Sequence, residues 1–121
     1  MRRPLAGVHS AWEIVLHAAT WLDTVRRRLG GEAYDPTESE NWPSVADANE
    51  SAWAEARERL TASYEALHQA LEDLRDADLD RPVAGQAYDV YFMLHGVVQH
   101  TLYHAGQLII LKKAVRAKAG V

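Results

Sequence analysis

Three of the chain's six histidines lie within one short stretch, HGVVQHTLYHAGQ, residues 95–107. An α-helix turns about 100° per residue, so His100 and His104 lie on one face, about 40° apart. His95 lies about 140° from His100 and cannot easily join the pair. Two neutral imidazoles in this arrangement suit a transition metal such as zinc. The pair alone is not specific, because HxxxH arises by chance and two histidines can simply hydrogen-bond.

A metal site built on this pair needs at least one further ligand. His17 is favoured, because it lies in the middle of an apolar helical segment, AWEIVLHAATW, and sites in helix bundles are built from side chains on facing helices. Together with His100 and His104 it would supply three nitrogens and leave positions for water or substrate. The alternative for His17 is a core histidine bonded to a backbone carbonyl. The other candidates are His9, His68, Glu13 and Asp89.

Two polar residues beside these histidines are candidates for catalysis. Glu13, one turn before His17, has the spacing of a helix cap, but it is also placed to orient His17 or to act as a base. We favour the cap. Gln107, in the turn after His104, is either a polar residue of a pocket or a solvated amide. His68 has no partner at metal-ligand spacing and is predicted to lie at the surface.

Three long helices are predicted to carry these residues, at about 11–29, 48–77 and 90–115. Ser10 with Glu13, and Asp47 with Glu50, have the spacing of a capping box, which marks a helix start. Gly30 and Gly31 are predicted to end the first helix. In the second helix the apolar residues recur every three, four or seven positions, which predicts one buried stripe. These residues are Trp53, Leu60, Tyr64, Leu67, Leu71 and Leu74.

The last helix is apolar over most of its circumference, with Asp89 as its predicted N-cap. A helix of this kind is expected to lie at the centre of a fold, and its histidines, including His95, are expected to be buried. Three helices joined by loops that permit antiparallel packing predict an all-α, up-down helix bundle.

An acidic, irregular segment at residues 32–46 contains two prolines and Trp42. A long loop that carries a large aromatic residue is often a lid or a pocket wall. The alternative is that Trp42 covers the end of the core. Both interpretations remain open at this point.

The length, composition and net charge of the chain limit the classes of protein to which it can belong. A chain of 121 residues, 48% hydrophobic and 25% charged, predicts a single domain over 1–121. The net charge of −4 argues against nucleic-acid binding. The basic clusters, Arg26–Arg28 and the lysines and arginine of residues 112–118, fall at predicted helix ends and complement the helix dipole. No membrane span, signal peptide or cysteine is found, and we expect a soluble, cytoplasmic protein.

Several motifs resemble those of the DinB-like (damage-inducible) metalloenzyme family. They are HSAWEIVLHAATW at residues 9–21, NWP at 41–43, and above all LHGVVQHTLYHAGQLIILKK at 94–113. The last motif, HxxxHAGQ followed by an aliphatic turn and two lysines, is hard to obtain by chance. The resemblance covers essentially the whole chain.

The resemblance implies a four-helix bundle with a divalent metal, nickel or zinc, bound by one histidine from one helix and an HxxxH pair from another. The matching positions are His17, His100 and His104. Relatives include S-transferases and isomerases that use low-molecular-weight thiols. The resemblance therefore implies a metal-dependent transferase or hydrolase with a small-molecule substrate. The tyrosines available to hold a thiol cofactor are Tyr88, Tyr91 and Tyr103.

One departure from the family pattern concerns the helix that usually precedes the first histidine. The chain begins in the loop before the helix of His17, so three long helices are expected where the family has four. A bundle of three would expose an apolar groove, which is an association surface. We therefore expect a homodimer. The alternative function is a non-catalytic, dimeric helix bundle with a structural or vestigial metal site.

Overall fold

The computed structural model describes residues 9–45 and 49–118. Within these ranges the chain forms four α-helices and one 3₁₀-helix, and no β-strand, so the prediction of an all-α bundle is confirmed. The helices are α1 (Ala11–Leu29), α2 (Glu38–Asn41), α3 (Glu50–Glu72) and α4 (Val90–Lys118), and the 3₁₀-helix spans Asp76–Asp80. No described helix is long and apolar enough to cross a membrane.

The first long helix begins and ends where its sequence predicts. The Glu13 amide donates to the Ser10 hydroxyl at 3.2 Å, and the Ser10 amide donates to the Glu13 carboxylate at 3.0 Å, which completes the capping box. At the other end Gly31 adopts a φ of 93°. Only glycine takes this left-handed conformation without strain, so the two glycines end α1.

The predicted boundaries of the second long helix are wrong at both ends. The helix begins at Glu50 because Asn49 is the N-cap, with its side chain accepting from the Ala52 amide at 2.8 Å. The predicted cap, Asp47, lies outside the described residues. The helix ends at Glu72, five residues before the predicted end, and the 3₁₀-helix follows in the segment predicted to be a helix end and loop.

The last helix starts as predicted. The Asp89 carboxylate accepts from the Phe92 amide at 2.9 Å and so caps α4. A single bridge between Pro82 and Asp89 closes the loop before it. The irregular segment at 32–46 contains the short α2, whose N-cap Thr37 forms its own capping box with Glu40. This turn fixes the approach of Trp42 to α1.

The central helix is α1 and not α4, because α1 packs against each of the other three α-helices. The prediction of a central α4 is therefore wrong. One face of α4 packs on α1 through Val90 and Met93, and the opposite face is exposed. The predicted stripe on α3 is also only partly buried: Leu67 lies in the core, but Tyr64 is 58% exposed. The core is built where α1 meets α3 on one side and α4 on the other.

Candidate metal centre

The imidazoles of His17, His100 and His104 meet between α1 and α4. The Nε2 atom of His100 lies 3.0 Å from Nε2 of His17 and 3.0 Å from Nε2 of His104. All three nitrogens lie within 4.8 Å of one another. His17 and His104 are buried, and His100 is half-buried. The structure thus brings together the three histidines that the sequence selects, although His17 is more than eighty residues from the other two in the chain.

The outer nitrogens of two of these rings are fixed by carbonyl groups. His17 Nδ1 lies 2.7 Å from the backbone oxygen of Asn41, and His104 Nδ1 hydrogen-bonds to Oε1 of Gln107. A carbonyl oxygen only accepts, so each Nδ1 carries the proton and donates it. In the neutral ring, Nε2 of His17 and Nε2 of His104 therefore each carry a lone pair, which points toward the ring of His100.

This arrangement fits a cation better than it fits hydrogen bonds among the histidines. The single proton that His100 can place on Nε2 can be donated fully to only one of its two neighbours. A tetrahedral ion with bonds of about 2.0–2.1 Å holds its ligand nitrogens about 3.3 Å apart, close to the two distances of 3.0 Å at His100 Nε2. Bound carbonyls on the outer nitrogens are the usual support of metal-ligating histidines. The three residues therefore fit a divalent transition metal.

The environment favours the neutral form of the His17 and His100 imidazoles. Burial lowers the pKa of His17, with a further contribution from the charge of His104. Burial also lowers the pKa of His100, together with the charges of His104 and His17, to about 4. Neutral rings at physiological pH keep their Nε2 lone pairs, which is the form that binds a metal.

The indole of Trp42 covers His17 on the side of the irregular segment. The two rings stack with centroids 3.8 Å apart, and His9 stacks on the other face of the indole at 3.6 Å. Trp42 therefore packs on His17 itself, and this contact does not decide between the two interpretations left open by the sequence. The indole also lies edge-on to His104, at 6.2 Å.

The turn that carries Trp42 is fastened to α1 by two hydrogen bonds besides that of His17. The Thr20 hydroxyl donates to the Glu40 carbonyl at 2.8 Å, and Trp21 Nε1 donates to the Asn41 side-chain oxygen at 2.7 Å. Thr20 and Trp21 lie three and four residues after His17, so one face of α1 carries both His17 and the residues that hold this turn in place.

A cavity of about 340 Å³ opens beside the histidines and follows the seam between α1 and α4. This volume lies at the lower end of the range for small-molecule sites. His17 and His100 line one part of it, and Arg28 and Tyr88 line another. The walls between them are mostly apolar: Trp21, Val25, Phe92, Met93 and Val97.

Arg28 is the residue of this groove that sequence reasoning missed. The sequence suggested only that it complements the dipole at the end of α1, and it does lie in the last turn. Yet its side chain is only 4% exposed and lines the groove. The signal that could have found it is its spacing: eleven residues after His17 is just over three full turns, which places both on one face of α1.

The remaining candidates have roles away from the three nitrogens. Glu13 completes the helix cap, and its carboxylate also meets His9 Nδ1 at 2.9 Å. His68 is exposed beside Glu72, as predicted. Asp89 caps α4.

One prediction about the histidines of α4 is wrong. His95 is exposed rather than buried, and its ring contacts Tyr91 with centroids 4.6 Å apart. It faces solvent because the side of α4 that carries it has no covering element among the described residues. Tyr91 shares this exposed side. Tyr103 is exposed as well, but its hydroxyl accepts from Gln107 Nε2 at 3.3 Å.

The fold and the site define a class, that of helix-bundle proteins with three facing histidines that fit a metal ion. The particular family follows from a comparison with family models. The model described as the DinB superfamily matches residues 1–108, so the chain belongs to the DinB superfamily and the resemblance of its motifs is confirmed. No curated protein and no solved structure matches the chain significantly.

Proposed function

We propose that this protein binds one divalent transition metal, zinc or nickel, through Nε2 of His17, His100 and His104. The observation that carries the proposal is the convergence of these three nitrogens while the outer nitrogens of His17 and His104 donate to carbonyls. Imidazole ligands suit both metals. The low pKa of His17 and of His100 supports it further, since neither ring needs to lose a proton at neutral pH.

The reaction class that fits the site is thiol transfer or hydrolysis of a small molecule. A divalent ion held by three neutral ligands lowers the pKa of a bound water or thiol and so supplies a nucleophile near neutral pH. The walls of the groove beside His100 are mostly apolar, and Trp42 covers the opposite side of His17. A low-molecular-weight thiol is the cofactor that the transfer reaction requires.

The alternative is a non-catalytic bundle whose metal site is structural or vestigial. Structural zinc sites usually have four protein ligands, whereas three ligands leave a position open. The cavity beside His100 favours the hypothesis of a metal-dependent enzyme. A structural metal site does not require a groove next to its open coordination position. Metal-loaded protein that is inactive in every esterase and thiol-conjugation assay would favour the structural site instead.

Metal analysis of untagged protein tests the binding site. We expect about one zinc or nickel ion per chain after purification without chelator. His100→Ala should lose the ion, because it removes the nitrogen between the other two. His68→Ala is the matched control, since it removes an exposed histidine on α3 and should keep the ion. Wild-type protein that is free of metal, and that takes up none from added zinc or nickel, would overturn the proposal.

We also propose that the protein forms a homodimer through α4. Six exposed residues of this helix follow one another at alternating spacings of four and three residues. This is the heptad pattern of a helix that pairs with another helix. They form an exposed seam: Tyr91, His95, Val98, Leu102, Ala105 and Ile109. Four of them are large apolar side chains that are more than half exposed. An apolar face of this length marks an association surface.

An antiparallel arrangement of the two α4 helices fits the exposed seam best. Pairing Val98 with Leu102 of the second copy brings Tyr91 against Ile109 and the large His95 against the small Ala105. It also brings Asp89, which caps each α4, near the lysines at 112–113 of the other copy, which is a favourable pairing of charges. A parallel pair would place like charges together.

Sedimentation equilibrium tests the dimer. We expect wild-type protein to be dimeric and Leu102→Glu to be monomeric, because a carboxylate in the seam loses its water on pairing. Gln69→Glu, which adds the same charge to an exposed position of α3, should remain dimeric. A monomeric wild type at micromolar concentration would refute this assembly.

A further inference from the structure

We propose that the groove selects small molecules with a carboxylate head and an apolar body, and that Arg28 and Tyr88 bind the head. The reactive end then lies beside His100. Only the placement of this reactive end rests on the proposed metal function, because the head is recognised by residues away from the histidines.

The groove has two chemically different ends. On α1, His17 and Arg28 line it from positions eleven residues apart, a rise of about 16 Å. On α4, which runs the other way along the seam, His100 lies toward His17 and Phe92 lies toward Arg28. The long side chain of Arg28 leans back toward the start of α1 and shortens the gap. A ligand of medium length spans the distance from guanidinium to histidines.

The guanidinium of Arg28 has further N–H groups that can donate hydrogen bonds to such a ligand. Its Nε donates to the Tyr34 carbonyl, Nη1 to the Tyr88 hydroxyl and Nη2 to the Asp35 carboxylate, at 2.9, 2.9 and 2.6 Å. These contacts with described residues occupy three of the five N–H groups of a guanidinium. They also fix its orientation, so little freedom is lost when a ligand binds.

Tyr88 adds a donor at the same end of the groove. Its oxygen accepts from Arg28, which leaves the hydroxyl proton to be donated to another acceptor. Asp35 is largely exposed, with 70% of its side chain accessible, so water screens its charge from the buried guanidinium more than it would in the core. The buried guanidinium and the phenol together match a carboxylate.

Gly96 indicates that the space between the two ends is kept open. It lies inside α4 and lines the groove, in a position where glycine is less favourable than alanine. A Cβ added there would meet no atom within 4 Å, so close packing of neighbours does not account for the glycine. The adjoining walls are apolar: Trp21, Val25, Met93 and Val97. They suit a hydrocarbon body.

Calorimetric titration with octanoate and with octanamide tests the proposal. The two probes share a chain and differ in the charge of the head. We expect octanoate to bind roughly tenfold more tightly or better, as a charged hydrogen bond contributes. Tyr88→Phe should weaken octanoate binding several-fold and octanamide binding less, because the charged carboxylate accepts the stronger hydrogen bond from the phenol. Tyr64→Phe is the matched control, since it removes an exposed hydroxyl on α3, away from the groove, and should change nothing. Gly96→Leu should abolish binding of both probes, because its side chain fills the groove.

Titration of His100→Ala separates this proposal from the metal site. We expect it to keep the preference for octanoate. If octanoate and octanamide bind to the wild type with the same affinity, and also bind to His100→Ala with the same affinity, recognition of the carboxylate head is refuted. This holds whatever the metal content of the protein. If the preference disappears only in His100→Ala and survives Tyr88→Phe, the carboxylate binds the metal and the proposal is also wrong. A preference that persists in wild-type protein that takes up no added metal supports this inference and refutes the metal function alone.

Discussion

The indole of Trp42 lies flat against the imidazole of His17, with ring centroids 3.8 Å apart and planes 4° from parallel. Stacking fixes the plane of the His17 ring, and the hydrogen bond from its Nδ1 to the carbonyl of Asn41 fixes its tautomer and rotation. Both groups come from adjacent residues of one turn. The turn at residues 41–42 therefore aims His17 Nε2 at the other two histidines.

Replacement of Trp42 should weaken metal binding. Trp42→Leu removes the stacking partner of His17 but leaves the three ligands, and supporting residues of metal sites typically contribute about 10–100-fold in affinity. We expect a loss of this order for zinc, measured by competition with a chelator of known affinity. Trp42→Phe, which restores an aromatic face, should recover part of it. An affinity for zinc that is unchanged in Trp42→Leu would show that the indole is only a cover.

Gln107 is predicted to act through His104. Its Oε1 accepts from His104 Nδ1, so Gln107→Leu should let the ring rotate or change tautomer and should reduce zinc affinity about tenfold. Gln107→Glu keeps an acceptor and should retain or raise the affinity. Gln99→Leu, at an exposed position of the same helix, is the control. Equal affinities in Gln107→Leu and wild type would contradict the role in positioning.

The three-histidine cluster was predictable because its information is local on each helix. The spacing of His100 and His104 fixes their common face, and the apolar surroundings of His17 turn it toward the interior. The groups that orient these histidine rings were less predictable. The Asn41 carbonyl is a backbone atom on a turn, and no pattern of residue types shows where it points.

The helix starts at Ser10 and Asp89 were also predictable, because a cap is a contact between residues three apart. The exposure of α4 was not. Its sequence shows how much of the helix is apolar, but burial depends on which elements are present to cover it. Arg28 was missed for the same reason: the dipole of α1 explains a basic residue at this position as well as a ligand site does.

Glu13 gives a test that separates a structural role from a catalytic one. Its carboxylate accepts from the Ser10 amide, so Glu13→Ala should lower the free energy of unfolding by about 1 kcal/mol. Ser10→Ala, which removes the other half of the capping box, should have a similar effect in chemical denaturation. Zinc affinity should be unchanged in both variants. A loss of activity or of metal in Glu13→Ala that Ser10→Ala does not share would instead assign Glu13 to the site.

The metal-free protein should lose stability as the pH falls from about 6.5 toward 4. Burial lowers the pKa of His17 and of His100, the latter to about 4, so in this window the unfolded chain binds more protons than the folded one. The free energy of unfolding therefore rises with pH, by up to about 1.4 kcal/mol per pH unit from His100, and levels off above about 6.5.

Urea denaturation across this pH range, in the presence of chelator, measures the effect. His100→Ala should flatten the profile, and His68→Ala, which removes an exposed imidazole, should leave the slope intact. Added zinc should steepen the profile of the wild type, because protons then compete with the ion for the same nitrogens. Metal that stays bound at pH 4.5 with undiminished affinity would be incompatible with a site of three histidines.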